Sequence, residues 1–473
     1  MLDFFKKYIW FLAGALLLIC LLAFFDVAMA TGLSLLVFLT MLTFIVLYQC
    51  NIRDKRLYRM LLIALVVHSF VVAVLHYTGF NPSPGGADYD GYHHDAVEIA
   101  LRFKAANFSL QGIPLLHYLP VIIGVVYAIT MPTMVVGQLF LVWIVLLSII
   151  LLYLLLWELW ETGKGFVLVA LVAICYPSFL YFSSLLLKDG LVVALSLVGL
   201  LLSLKMIKNT TLPLFLAFFA TTTLLIHFRF YIGFALLFSC IICWFLLSRL
   251  EFSKKMMCGF FMVFLLGFSP QIVGIGYYGH SQLTAFLNEK SVLNYREVAY
   301  APKPDDNPLI QQEANVPPKV HPSFGGDDVS GTGSSVTVHV NFNNKYKFVI
   351  NYCLSFAHAF FGPFFWQLRY GKHVLFLLET LPWYVLCFFV ALGLYRSFKT
   401  NGWRHFFASY ARALPILVFS LLALGAMSLF INNFGILVRI RTSVFMALLC
   451  LLPLGDYSFI TKITTHVRNR WYL

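Results

Sequence analysis

The sequence contains few charged residues. Asp, Glu, Lys and Arg make up 11% of its 473 residues, whereas hydrophobic residues make up 61% and the mean hydropathy is +0.86. A soluble globular chain is about 45–50% apolar, so this composition predicts a polytopic membrane protein. Acidic residues are scarcer than basic ones, at 20 against 33. Because the basic residues fall mostly in short loops between apolar runs, they indicate the positive-inside pattern and not a nucleic-acid-binding surface.

Signatures of several enzyme and transporter classes are also missing. No P-loop and no Gly-x-Ser-x-Gly segment is present, which argues against a P-loop ATPase and an α/β-hydrolase. The two halves of the chain show no internal repeat, so an inverted-repeat transporter gains no support. The nine cysteines lie almost entirely inside or at the ends of apolar runs. We therefore interpret them as small buried hydrophobic residues.

Twelve apolar runs approach the length of about 20 residues that is needed to cross a bilayer core. The predicted spans are 8–26, 31–50, 60–78, 134–158, 165–183, 190–206, 212–227, 231–248, 257–275, 374–395, 412–431 and 442–457. The first run lacks a small-residue cleavage site, so we expect it to be retained. A further apolar segment at 115–131 is short and lies between Pro114 and Pro132. It is predicted to be a re-entrant or interfacial helix.

Basic clusters predict the side of the membrane that each loop occupies, because lysine and arginine accumulate in cytoplasmic loops. Lys6 and Lys7 place the N-terminus in the cytoplasm, and a basic cluster at 53–59 follows after two spans. A third span then makes the loop at 79–133 extracytoplasmic. The same alternation places these polar segments outside: the turn at 188–190, residues 227–229, the loop at 276–373 and the turn at 432–435. Both termini are predicted to be cytoplasmic.

The loop at 276–373 is rich in Pro, Gly, Asp and Ser and is predicted to be largely irregular. Residues 336–340 have the pattern of one short strand. Residues 345–361 are typical of an amphipathic helix on a membrane surface. A loop of this length fits a lid or a segment that shapes a substrate site.

A short segment at 85–96 concentrates acidic and imidazole side chains between apolar runs. It combines three carboxylates with two imidazoles, namely Asp88, Asp90, Asp95, His93 and His94. Ionisable groups beside a bilayer are costly, which favours a functional role. One carboxylate can serve as a general base, and Asp88 and Asp90 are candidates to share a divalent cation, magnesium or manganese. The alternative is that Asp88 and Asp90 only cap the helix predicted at 92–106. The two histidines lack partners at zinc spacing, so no zinc site is predicted.

Arg439 and Arg441 oppose the positive-inside rule, since both lie on the predicted extracytoplasmic side. An anionic ligand could compensate for them, because the guanidinium group suits phosphate oxygens. Arg229 and Arg369 lie on the same side and are candidates for the same site. The alternative is that Arg439 and Arg441 pair with acidic residues of the chain, Asp189 or Glu379.

The pair Lys188-Asp189 follows an apolar run that contains Pro177. The pair is either a solvated turn or part of the same extracytoplasmic site. Proline in the run is expected to kink the helix and to open space near its outer end.

Three short motifs resemble the polytopic GT-C glycosyltransferases, which use polyprenyl-phosphate-linked sugar donors at the extracytoplasmic face. The motifs are the acidic segment from Asp88 to Ala96, the Pro177 span with Lys188-Asp189, and Asn433-x-Gly435 followed by Arg439-x-Arg441. The resemblance covers roughly residues 60 to 457. The chain departs from the family in its two additional N-terminal spans and in the lack of a sizeable C-terminal soluble domain.

The resemblance implies an all-α GT-C-like bundle of about 12 transmembrane helices in a bacterial inner membrane, with extracytoplasmic juxtamembrane helices and one long outer loop. It divides the chain into an N-terminal hairpin at 1–59, a catalytic core at 60–275, the outer loop at 276–373 and C-terminal helices at 374–473. It implies inverting transfer of a sugar to a glycan, lipid or protein acceptor, with Asp88 or Asp90 as the base. The implied substrate-binding residues are Tyr92, His93, His94, Asp95, Lys188, Asp189, Arg229, Arg369, Arg439 and Arg441.

Two other functions remain open at this point. A polymerase or ligase of lipid-linked glycans, of the O-antigen polymerase type, would share the outer arginines and differ in its acceptor. A transporter or flippase would place ionisable residues within the spans, near the midplane. Such residues are sparse here, which favours the transferase.

Overall fold

The computed structural model describes residues 2–79, 88–113, 115, 117–161, 165–248, 250–267, 345–362, 364, 374–431 and 434–452. The described part is helical and contains no strand. The first eight helices are α1 Leu2–Ala23, α2 Val27–Gln49, α3 Lys55–Thr78, α4 Asp88–Lys104, α5 Leu119–Ile129, α6 Met134–Trp160, α7 Phe166–Cys175 and α8 Pro177–Phe182. The others are α9 Asp189–Lys208, α10 Leu212–Phe228, α11 Phe230–Leu247, α12 Phe252–Gly267, α13 Lys345–Phe361, α14 Val374–Tyr410, α15 Leu414–Phe430 and α16 Phe434–Leu449.

Seven helices in the described ranges are long and apolar enough to cross a membrane. These are α2, α3, α6, α9, α11, the Leu378–Arg396 part of α14, and the segment Ala411–Phe430 that includes α15. Four shorter apolar helices of 10–17 residues accompany them, including Leu119–Ile129 and Phe166–Cys175. The structure supports a multi-pass membrane protein, but the predicted count of twelve spans is not confirmed.

Two of the predicted spans that differ from the observed helices bear on the candidate site. The run at 165–183 forms α7 and α8, which are separated at Tyr176 with φ −66° and ψ 117°. The extended conformation of Tyr176 follows from Pro177, which disfavours helical backbone in the preceding residue. The last helix of the described ranges begins at Phe434, eight residues before the span predicted at 442–457. Arg439 and Arg441 therefore lie inside α16, where acidic partners from other helices compensate for their charge.

Segment 115–131 forms the helix α5, which has 11 residues. At 1.5 Å per residue this is about 16 Å, too short to cross a bilayer core. Pro120 occupies its first turn, where a missing N–H costs nothing. The helix packs on α4 through Gly124, where a Cβ atom would meet Ile99 Cγ2 at 2.6 Å and the carbonyl oxygen of Ala96 at 3.2 Å.

We expect Gly124→Ala to destabilise the protein by about 1–3 kcal/mol, because the added methyl group would overpack the α4–α5 contact. Gly91→Ala on α4 is the matched control, since no atom lies within 4 Å of the position that its added methyl group would take. Denaturant unfolding in detergent micelles measures both changes. Equal midpoints for the two variants would contradict the close approach of α4 and α5.

The bundle has two chemically distinct ends, which α9 connects from Asp189 to Lys208. Near the Lys208 end, Lys208 pairs with Glu158, and Arg412 Nη1 lies 2.6 Å from Glu161 Oε1. The ion pairs of Asp189 lie at the other end. The structure therefore separates the basic loops predicted to be cytoplasmic from the acidic helix α4.

The prediction of buried cysteines is correct for only part of the set. Cys240, Cys243 and Cys450 are buried, but Cys20, Cys50, Cys175 and Cys353 are exposed in the isolated chain. None of the nine cysteines forms a disulfide.

Helix α13 covers the predicted surface helix at 345–361 and packs on α15. Ser355 donates a hydrogen bond to the carbonyl of Ser428 at 2.6 Å, and Tyr352 donates one to the carbonyl of Gly425 at 3.1 Å. One face of α13 is therefore covered by protein. The predicted strand at 336–340, the rest of the loop before α13, and Arg369 lie outside the described residues.

Candidate functional site

The candidate site is built around Asp189, the first residue of α9, which is 6% exposed. Arg439 donates from Nε at 3.1 Å and from Nη2 at 2.8 Å to Asp189 Oδ2. Arg229, at the junction of α10 and α11, donates from Nη2 at 3.1 Å to Asp189 Oδ1. The positive end of the α9 dipole also favours a carboxylate here. Asp189 thus fixes two arginines that come from distant parts of the chain.

Arg439 also reaches the acidic helix α4. Its Nη1 lies 3.7 Å from Asp88 Oδ2, and its guanidinium stands 5.3 Å from the centre of the Phe182 ring. The Asp88 side chain is 57% exposed, in contrast to 8% for Asp189. Asp88 is therefore the carboxylate of this cluster that an entering molecule can reach.

Lys188 adds a third basic group beside these residues. It is half-buried and makes no hydrogen bond or ion pair with the described part of the chain. Its loss of solvation, together with the nearby charge of Arg229, lowers the pKa of Lys188 to about 7. The ammonium form therefore exists below about pH 7, and the neutral amine dominates above it.

Tyr92 and His117 form an aromatic wall next to these charges. Their ring centres are 4.5 Å apart, and the His117 ring also lies 5.9 Å from the Phe228 ring. Burial raises the pKa of the Tyr92 hydroxyl above its usual range, so this side chain stays neutral. Tyr92 follows Asp88 by four residues on α4, which places both on one helix face.

We call Asp88, Lys188, Asp189, Arg229 and Arg439 the charge cluster. With Lys188 protonated, it holds three positive and two negative side chains and has a net charge of +1. Four of its five members are fixed or half-buried by protein, while Asp88 is open to solvent. The arrangement suits a bound anion next to an accessible carboxylate.

Among the described residues, Asp90, His93, His94 and Asp95 make no hydrogen bond or ion pair with the charge cluster. Asp90 and His94 are exposed, and His93 Nδ1 lies 2.9 Å from the Tyr127 hydroxyl on α5. Burial lowers the pKa of His93 and raises that of Asp95. Asp90, His93 and His94 leave α4 at other angles than Asp88, since each helical residue turns by about 100°. Asp95 lies on the same face as Asp88 but two turns further along the helix.

The described residues do not favour a cation shared by Asp88 and Asp90. Two residues apart on a helix, these side chains diverge by about 200°. Across the described ranges, no group of three or more His, Cys, Asp or Glu side chains is placed to hold a metal ion.

Arg441 has different partners from Arg439. It is 0% exposed, and its Nη1 donates to the carbonyl oxygen of Gly362 at 2.7 Å, just beyond the end of α13. Its Nη2 lies 3.5 Å from Glu379 Oε1, which also accepts a hydrogen bond from Tyr176 at 2.9 Å. The structure therefore places Arg441 in a buried ion pair and does not bring it to the charge cluster.

Sequence reasoning did not select His117. A lone histidine in an apolar segment has no motif to mark it, and its closeness to Tyr92 depends on the packing of α5 against α4.

Comparisons of the chain with protein-family models, with curated proteins and with solved structures gave no match. A function is accordingly inferred from the chemistry of the charge cluster and from the short motifs described above.

Proposed function

We propose that the protein is a membrane glycosyltransferase of the GT-C type that transfers a sugar from a polyprenyl-phosphate-linked donor to an acceptor hydroxyl. The observation that carries the proposal is the position of Asp88, 3.7 Å from an arginine that a second, buried carboxylate holds in place. This geometry combines an accessible base with fixed cations that suit a phosphate group.

In the proposed reaction, Asp88 accepts the proton of the acceptor hydroxyl. The acceptor oxygen then forms a bond to the anomeric carbon while the bond from that carbon to the phosphate oxygen breaks. The electron pair of the broken bond stays on the lipid phosphate, where Arg439 and protonated Lys188 stabilise the negative charge. Attack from the face opposite the phosphate inverts the anomeric centre.

The positive-inside pattern supports an extracytoplasmic location for this end of the bundle, because the basic loops cluster at the Lys208 end. We infer that the break between α7 and α8 gives the polyprenyl chain access from the bilayer to Arg439. Phe182, the last residue of α8, already packs against the Arg439 guanidinium.

A lipid-linked glycan polymerase is the alternative enzyme, and it would use the same cations with a growing glycan as acceptor. A transfer assay that offers single-sugar acceptors and oligosaccharide acceptors in parallel separates the two activities.

Binding of a polyprenyl phosphate tests the proposal through Lys188. Because the lysine loses its charge as the pH rises through about 7, we expect the affinity to fall by up to roughly tenfold per pH unit between pH 7 and 9. Lys188→Arg keeps its charge over this range and removes most of this dependence. Fluorescence titration of both proteins in nanodiscs measures the dissociation constant of the polyprenyl phosphate at each pH.

Titration of the phosphate itself affects wild type and Lys188→Arg equally, so the difference between their pH profiles isolates the lysine. The absence of polyprenyl phosphate binding at every pH would contradict the proposed function. Parallel pH profiles of affinity for the two proteins would contradict only the role of Lys188 and would leave the rest of the proposed function intact.

A further inference from the structure

His117 contains a buried polar atom that the proposed reaction does not use. The residue is 1% exposed, and its Nε2 makes no hydrogen bond within the described part of the chain. A buried donor without a partner costs about 1–3 kcal/mol. A ligand that accepts a hydrogen bond from this atom would remove the cost.

The protonation state of the ring follows from its surroundings. The backbone N–H of Leu119 donates to His117 Nδ1 at 3.3 Å, so Nδ1 is an acceptor. Burial, reinforced by the charges of Lys188 and Arg229, lowers the pKa of His117 to about 2. The ring is therefore neutral, and its one proton is on Nε2.

The position of the ring connects this donor to the charge cluster. Lys188, Arg229 and Asp189 all lie close enough to act on its charge, and Tyr92 packs on it from the same helix face as Asp88. The cations attract an anion to this place, whereas a neutral N–H donor adds direction without further charge. An oxygen of a phosphate group accepts such a bond well.

We propose that His117 is a ligand-positioning residue whose Nε2–H donates a hydrogen bond to a phosphate oxygen of the lipid-linked substrate. This inference rests on the proposed function, because it takes the lipid phosphate as the ligand of the charge cluster. Its role is to orient the phosphate beside Lys188 and Arg229.

Two substitutions separate the two nitrogen atoms of the ring. His117→Asn keeps an acceptor near the Nδ1 position for Leu119 N–H and removes the Nε2 donor. His117→Gln places an amide donor near the Nε2 position and removes the Nδ1 acceptor. We expect His117→Asn to weaken binding of a polyprenyl phosphate in nanodiscs by roughly 10- to 100-fold, and His117→Gln to bind within about threefold of wild type.

Thermal unfolding of both variants provides the second measurement. A purely structural histidine would make His117→Gln the less stable protein and leave the affinity of His117→Asn unchanged, which would overturn the inference. In that case wild type would still bind the lipid, and Arg439→Ala would still lose binding, so the proposed function would stand. If wild type and Arg439→Ala bind the polyprenyl phosphate equally, the proposed function fails and His117 loses its role with it.

Discussion

Asp88→Asn should lower the rate of sugar transfer by about 10²- to 10⁴-fold, the usual contribution of a general base. The amide keeps the shape of the side chain but cannot accept the proton of the acceptor hydroxyl. Because the Asp88 side chain is 57% exposed, the variant should fold and insert normally. Its affinity for the lipid-linked donor should change little, since the cations proposed to bind the phosphate remain. The measurement is single-turnover transfer in proteoliposomes with saturating donor.

Glu98→Gln is the matched control for this experiment. Glu98 is on the same helix, α4, and pairs with Arg102, with Oε1 and Nη2 2.5 Å apart. Its conversion to an amide should leave transfer unchanged. Asp90→Asn decides between the two aspartates that the sequence offers as bases. A loss at Asp90 with full activity in Asp88→Asn would move the role of base to Asp90, and full activity in both variants would contradict the proposed mechanism.

Asp189→Asn should destabilise the protein by about 3–5 kcal/mol, the typical cost of removing one partner from a buried ion pair. The Asp189 side chain is 8% exposed and holds both Arg229 and Arg439. Without its charge, the guanidinium groups of Arg229 and Arg439 lose the buried carboxylate that they share. Donor binding should also weaken, because Arg439 loses the contacts that fix its position. Equilibrium unfolding in mixed micelles measures the stability.

A double variant tests whether charge causes this loss. Adding Arg229→Gln to Asp189→Asn removes one uncompensated cation, so the pair should be more stable than the sum of the single changes predicts. Lys254→Ala is a surface control, because its bond to Glu251 joins two largely exposed side chains and contributes at most about 1 kcal/mol. If the losses of stability in the two single variants add up to the loss in the double variant, Asp189 and Arg229 do not stabilise each other, which would contradict the role of charge.

The positions of the long helices were predictable from the sequence. The run at 134–158 corresponds to α6 at Met134–Trp160, and the run at 190–206 corresponds to α9 at Asp189–Lys208. Long apolar runs with charged ends leave the backbone few alternatives to a helix. The start of α16 was not predictable, because the two arginines resemble a loop until their partners on other helices are known.

The sequence offered Asp189 or Glu379 as partners of Arg439 and Arg441 without assigning which acid pairs with which arginine, whereas the members of the charge cluster were themselves predictable. Each is a charged residue at or near the end of an apolar run, and the topology assigns all of them to one side. The bond from Arg439 to Asp189 joins residues 250 positions apart, so it depends on how α16 and α9 turn toward each other. His117 and the buried pairing of Arg441 depend on the same packing.

Helix α16 is held against rotation on two opposite sides. Arg439 and Arg441 leave it about 200° apart, one bound to Asp189 of α9 and the other to Glu379 of α14 and the carbonyl of Gly362. A twist of α16 in either direction would therefore break both attachments at once. A conformational change that keeps these ion pairs must therefore leave α16 in place and move the neighbouring helices relative to it.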